Sequence, residues 1–168
     1  MLESMPGLRV LHILFAVFWV GSVFFQMLIL EPRLKALGPQ VHQPVMAAIM
    51  PLLVPAMVLS GVIVFTTGTM MTLALRSGML NTMLTSGWGL AMLTGAAATV
   101  GAMVVGLGGL TPTGIRLGRL GKQLNGQSPT PSQAATLTRL SHRMDVLGRA
   151  DFALVFIALV SMPLARFL

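Results

Sequence analysis

The chain has no cysteine among its 168 residues. Disulfide bonds, thiolate metal sites and iron–sulfur clusters are therefore excluded. Charge is scarce too: Asp, Glu, Lys and Arg together make up 9% of the residues, against about 25% in a typical soluble domain. No hydrolase nucleophile constellation, phosphate loop or pair of carboxylates is present. Gly106-Leu107-Gly108-Gly109 is glycine-rich, but it closes an apolar run and lacks the strand–turn–helix setting of a nucleotide fingerprint. Acids are the scarcest class, 4 against 11 basic residues, for a net charge of +7. In a soluble protein that balance suggests nucleic acid. In a chain this apolar it points to basic loops that set topology and touch anionic lipid, and no nucleic-acid partner is expected.

What fills the chain is hydrophobic residues, 55% of the total, gathered into four long stretches. At about 1.5 Å per residue, about 20 residues cross a hydrocarbon core of about 30 Å. The expected fold is an all-α integral membrane four-helix bundle, one membrane domain over 1–168 with no soluble module. The first span is expected at 8–30, ending at Glu31-Pro32-Arg33, because a proline disfavours helix at the residue before it. The second covers 44–74, with Pro44 in a first-turn position and Pro51 and Pro55 as kinks. The third covers 87–110, where Ala97-xxx-Gly101 and Ala102-xxx-Gly106 let helix backbones approach closely. The fourth and weakest covers 147–166. A polar connection, 111–146, joins the last two, with a turn at Asn125-Gly126 and Pro129. Thr130-Pro131-Ser132-Gln133 then reads as a capped helix start, so the last helix is expected to begin near 131 and project before entering the membrane. No internal repeat stands out. The N-terminal run is too long for a signal-peptide core, Glu3 weakens its charged region, and no small-residue cleavage site follows, so no cleaved leader is expected.

Loop charge predicts orientation. Arg9, Arg76 and Arg166 mark one side; Arg33, Lys35, Arg116, Arg119, Lys122, Arg139, Arg143 and Arg149 mark the other. The richer side is expected in the cytoplasm of a plasma (inner) membrane, with both termini outside. His12 then lies near the outer face, and His42 and His142 near the inner one.

An ionisable residue inside an apolar span suggests function by default. His12 is such a residue, and His12, Trp19, Gln26 and Arg33 recur at spacings of seven, a single stripe expected to face the bundle interior. Two readings of His12 are open: a ligand to haem iron or copper, or an interfacial histidine bonded to a carbonyl or headgroup. Met70, Met71, Met79 and Met83 cluster at the same membrane depth, with Met92 and Met162 expected to reach it. Thioether sulfur suits Cu(I) or an axial haem position, and equally the ordinary filling of apolar gaps. At the opposite face, His42 and His142 form a weaker candidate site, with Asp145 and Arg149 an i,i+4 pair on the side of His142. A solvated polar face is the alternative there. In the fourth span only the fourteen residues Phe152–Ala165 form the apolar run, so Asp151 is drawn to the membrane boundary. Its burial would call for a partner, with Arg33 and Lys35 as candidates, in a structural ion pair or a proton relay.

The first span also has the features of a family. Leu11-His12-Ile13, Phe18-Trp19-Val20-Gly21, Phe24-Phe25 and Glu31-Pro32-Arg33-Leu34 resemble the opening of the copper-resistance protein D superfamily, and HemJ-type protoporphyrinogen oxidases open similarly. The resemblance covers about 35 residues well. Beyond them it extends only to hydropathy and a basic connection between spans three and four. The fourth span has no Asn-Glu-Pro segment of the HemJ type, so oxidase activity is not carried over. The resemblance implies a helical membrane protein tied to haem b or copper, with the family's first-span histidine at His12. The leading expectation is electron transfer or metal handling at a site holding His12, flanked by Trp19 and Gln26, with Met70, Met71, Met92 or Met162 as further metal ligands. The rival is a cofactor-free packing subunit of a larger membrane complex. Lipid is the expected surrounding in both, with a membrane protein or a second copy as partner.

Overall fold

The computed structural model describes residues 5–76, 81–124 and 127–168. Met79 and the Asn125-Gly126 turn lie outside the described residues. Within them the chain forms four long helices and no strand. Helix α1 covers Met5–Leu37, α2 Pro39–Arg76, α3 Gly87–Leu124 and α4 Pro131–Leu164, the last continued by a 3-10 turn, Ala165–Phe167. Each is long and apolar enough to cross a membrane.

The helices pair as two antiparallel hairpins. In the first, His12 meets Thr67, Trp19 lies beside Gly61, and Gln26 meets Met50. In the second, Gly95 faces Ser161 and Met162, Gly101 faces Leu154, and Gly109 faces Leu147. These are close approaches: a methyl group on Gly95 would lie 2.9 Å from the Ser161 hydroxyl, and one on Gly109 3.0 Å from the Leu147 side chain. Within a membrane, helices have little hydrophobic reason to associate, and close backbone contact would carry much of the association. The hairpins meet through Trp19 and Val23 of α1, Ala102 of α3 and Val155 of α4, with the Phe24 and Phe152 rings 4.7 Å apart and tilted by 45°. Outward faces are apolar as well; Val10, Leu14, Val17, Leu52 and Val104 are all exposed.

Three expected boundaries move. Helix α1 does not stop at residue 30 but runs to Leu37, and only Gly38, with φ of 86°, separates it from α2. Helix α2 therefore starts at Pro39 rather than Pro44, and carries Pro44, Pro51 and Pro55 inside it. Helix α3 continues through the polar segment to Leu124, so most of the expected connection is helix. The start of α4 lies where the sequence places it: the Thr130 hydroxyl accepts from the Gln133 N–H, and the Gln133 side chain accepts from the Thr130 N–H.

Two of these helices pass a proline by widening. Gln26–Leu30 is a π turn, closed by the Glu31 N–H on the Gln26 carbonyl, directly ahead of Pro32. Gly106–Leu110 is a second π turn, closed by the Thr111 N–H on the Gly106 carbonyl, directly ahead of Pro112. A proline ring in a regular helix collides with the carbonyl four residues back and offers it no N–H. One extra residue in the preceding turn removes the collision and lets the helix continue.

The small-residue seam of α3 gives a direct test. Gly95→Leu should destabilise the fold by about 1–3 kcal/mol, the usual cost of overpacking, read as an earlier transition in detergent unfolding. Gly21→Leu, where nothing lies within 4 Å of the added carbon, should change stability by less than about 0.5 kcal/mol. Equal effects at both positions would contradict the packing described here.

Candidate functional site

His12 is half-buried, with the Nδ1 edge of its ring against α2. Nδ1 lies 3.0 Å from the Thr67 hydroxyl oxygen. That hydroxyl has one proton, and it lies 2.6 Å from the Ile63 carbonyl, the ordinary back-bond of a helical threonine. The threonine oxygen is then the acceptor for the imidazole, and the proton of His12 is on Nδ1. The Val64 carbonyl is a second acceptor beside the ring. Nε2, the unprotonated nitrogen, makes no hydrogen bond among the described residues. Gly68 completes the seat: a methyl group there would press to 3.1 Å from the His12 Cε1.

Two more members of the stripe face inward. Trp19 is buried in the junction of the hairpins, and Gln26 is half-buried with its amide 3.6 Å from the Met50 sulfur. Arg33 does not follow them; it is exposed, and Leu34 is buried in its place. The cause is the π turn at Gln26–Leu30. One inserted residue shifts every later position by about 100°, so the seven-residue spacing fails beyond it. The methionines fall on different hairpins. Met70, exposed, and Met71, half-buried, lie within a turn or so of Thr67 on α2, whereas Met92 lies on α3 and Met162 on α4, where Met162 packs over Gly95. Among the described residues no group of three or more His, Asp or Glu side chains is placed to hold a metal.

At the opposite, basic end the second candidate pair resolves differently. The His42 Nε2 lies 3.3 Å from a Glu31 carboxylate oxygen, while His142 is exposed. Lys35 joins the hairpins, bonded to Asp145 of α4 and 3.4 Å from Glu31 of its own helix. Asp145 thus pairs with Lys35, not with Arg149 as its spacing suggests. Burial draws the Lys35 ammonium pKa down, but its hydrogen bond to Asp145 and the nearby Glu31 charge outweigh that and hold it above the usual lysine value. This cluster escaped the sequence reading because α1 was expected to end before Glu31. Once the helix continues, Glu31 and Lys35 form an ordinary i,i+4 pair.

Asp151 is buried, 9% exposed, yet neither Arg33 nor Lys35 reaches it. Arg33 is turned outward, and Lys35 is engaged elsewhere. The other buried polar side chains, Ser60, Thr67, Thr99, Thr113 and Ser161, each donate to a carbonyl of their own helix.

Comparison of the chain with known protein families, with curated proteins and with solved structures found no match. What the fold itself defines is a protein of four membrane-length apolar helices with one histidine seated inside the apolar part.

The Lys35 link is exposed enough to be screened. Lys35→Met should lower stability by no more than about 1 kcal/mol, and the difference should fade at high salt. A raised lysine pKa means the link contributes in full at neutral pH and is lost only as pH climbs past about 10.4 towards the folded-state value. Stability curves of both proteins against pH and salt would show this; a gap as large at high salt as at low would contradict it.

Proposed function

We propose that this chain is an integral membrane protein that binds haem b or copper through His12, and that it serves electron transfer or metal handling. The observation that carries the reading is the hydrogen bond that holds the Nδ1–H of His12 on Thr67 and leaves Nε2 free. Ligating imidazoles are oriented in this way: the ring nitrogen away from the metal gives its proton to a fixed oxygen, which sets the tautomer and raises the basicity of the other nitrogen. Haem or copper, when bound, supplies one-electron chemistry. The chain's own residues orient the ligand, through Thr67 and the Gly68 seat, and exclude water below it with Trp19. The first-span resemblance to the copper-resistance protein D superfamily supports the same residue. Met70 and Met71, close to Thr67 on α2, are the nearest candidates in sequence for a sulfur ligand; Met92 and Met162 are candidates from the second hairpin.

Placement in the membrane belongs to the same reading. The apolar outward faces fit lipid, and α4, at 34 residues, is about 50 Å long, more than the core of about 30 Å requires. Its basic first half then lies in the cytoplasm with Arg116, Arg119 and Lys122 of α3, and both termini lie outside the plasma membrane.

The His12 site is tested by expressing the protein with haem and copper supplied and measuring the Soret band and copper content. His12→Ala should remove the bound group while the helical fold persists. Thr67→Val should keep it but weaken affinity by about 10- to 100-fold, as loss of an orienting partner does. His42→Ala and His142→Ala should change neither. If the wild-type protein carries neither group, the cofactor-free subunit reading replaces this one. Orientation is tested separately in this cysteine-free chain. Thr85→Cys should label from outside intact cells, and Gln127→Cys only after lysis; the reverse pattern would invert the topology.

A further inference from the structure

The basic end of the bundle carries its charge on helix faces, because α1, α3 and α4 all extend beyond their apolar runs. The two acids outside the apolar part at this end are engaged within the fold. Glu31 faces Lys35 and His42, and Asp145 is bonded to Lys35. Arg33 of α1, Arg116 of α3, and Arg143 and Arg149 of α4 are exposed, with no ion pair among the described residues.

Contacts between the helices fix the depth of these four. Leu147 of α4 packs on Gly109 of α3, and Gly148 lies against Met27 of α1. Leu30, Leu110 and Leu147 therefore mark close to one level, the end of the apolar part. Arg33 lies three residues beyond it, Arg143 four and Arg116 six, about 5–9 Å by helical rise. Arg149 lies two residues inside, about 3 Å, and its long side chain can extend outward. Headgroups occupy about 5–7 Å on each side of the hydrocarbon core. All four guanidinium groups are within reach of that layer.

Exposed apolar side chains lie among them. Val146 is three residues from both Arg143 and Arg149, and Ile115 is one residue nearer the apolar run than Arg116. Residues three apart on a helix are neighbours. An apolar side chain at the acyl boundary beside a cation at phosphate level suits an interfacial helix surface. An acidic soluble protein would meet one side of the bundle. These cations are spread over three helices and both hairpins, as the ring of lipid around a bundle is. The charges also bear on the junction of the hairpins. Arg33 is two residues from Lys35, and Arg143 and Arg149 are two and four from Asp145. Three like charges thus surround the Lys35–Asp145 link.

We infer that the basic end binds anionic phospholipid, with Arg33, Arg116, Arg143 and Arg149 on headgroup phosphates, and that the bound lipid offsets the repulsion around the Lys35–Asp145 link and so steadies the pairing of the hairpins. The inference rests on the placement of the chain in a membrane and not on any group at His12.

The test uses the full-length protein in vesicles of phosphatidylcholine alone and of phosphatidylcholine with phosphatidylglycerol in equal parts. Flotation reads incorporation, and native mass spectrometry after gentle detergent release counts the lipids retained. Phosphatidylglycerol should be retained over phosphatidylcholine, and unfolding should come later in the mixed vesicles. A basic residue near an anionic surface is worth about fivefold in partition. Arg33→Gln, Arg143→Gln and Arg149→Gln, all at exposed positions, should each cut the preference by about that factor. The triple variant should also lose the difference in unfolding between the two vesicles. Arg166→Gln, exposed at the opposite end, should change neither. A protein that floats with both vesicles and retains the two lipids equally would overturn this inference alone. So would a preference that survives in the triple variant, or one that soluble polyglutamate abolishes, which would assign the arginines to an acidic protein instead. A protein that floats with neither vesicle would overturn the membrane placement and this inference together.

Discussion

Two prolines set the terms for this bundle. Pro32 and Pro112 each sit where a long helix must continue, and each removes an N–H that the preceding turn needs. Inside a membrane, which helices of this length and apolarity could cross, no water would replace it. The chain answers both times with a π turn. Widening the helix there re-aims everything that follows. On α1 it turns Leu34 inward and Arg33 outward, and it sets Glu31 and Lys35 against His42 of α2 and Asp145 of α4. The ionic link between the hairpins is thus a consequence of how a proline is accommodated. The same device on α3 lets the helix continue as a polar extension beside the first half of α4.

The parts of the fold that were legible in sequence are those governed by local rules. Four runs of membrane length and the Thr130–Gln133 capping box follow from hydropathy and hydrogen-bond chemistry and are found where the residues place them, whereas of the expected small-residue pairs of α3 only Gly101 and Ala102 pack inward, Ala97 being exposed and Gly106 meeting nothing within 4 Å. The boundary of α1 was misjudged because the proline rule describes a regular helix, and a π turn is not one. The same error carried through to the site. It placed Arg33 on the His12 stripe, hid the Glu31–Lys35 pair, and made Lys35 available to Asp151. No single-residue pattern announces a π turn. Thr67 was missed for another reason. Helical threonines ordinarily bond their own backbone, and only the antiparallel pairing of α1 with α2 brings this one to His12.

The division of polar groups along the bundle follows from the same economy of partners. Hydroxyls that face inward return their protons to their own helix and ask nothing of neighbours. The groups that cannot do so are His12 and Asp151. They stand at different depths, with Trp19, Val23, Ala102 and Val155 packed between them. That layer is apolar and closely packed, so it separates the two ends rather than connecting them by a chain of hydrogen bonds. His12 is held by α2 near the end where the chain begins; Asp151 lies between α1 and α3, nearer the basic end. Polar groups on the two sides of that layer therefore share no hydrogen-bond network among the described residues, and each is positioned by its own helix neighbours.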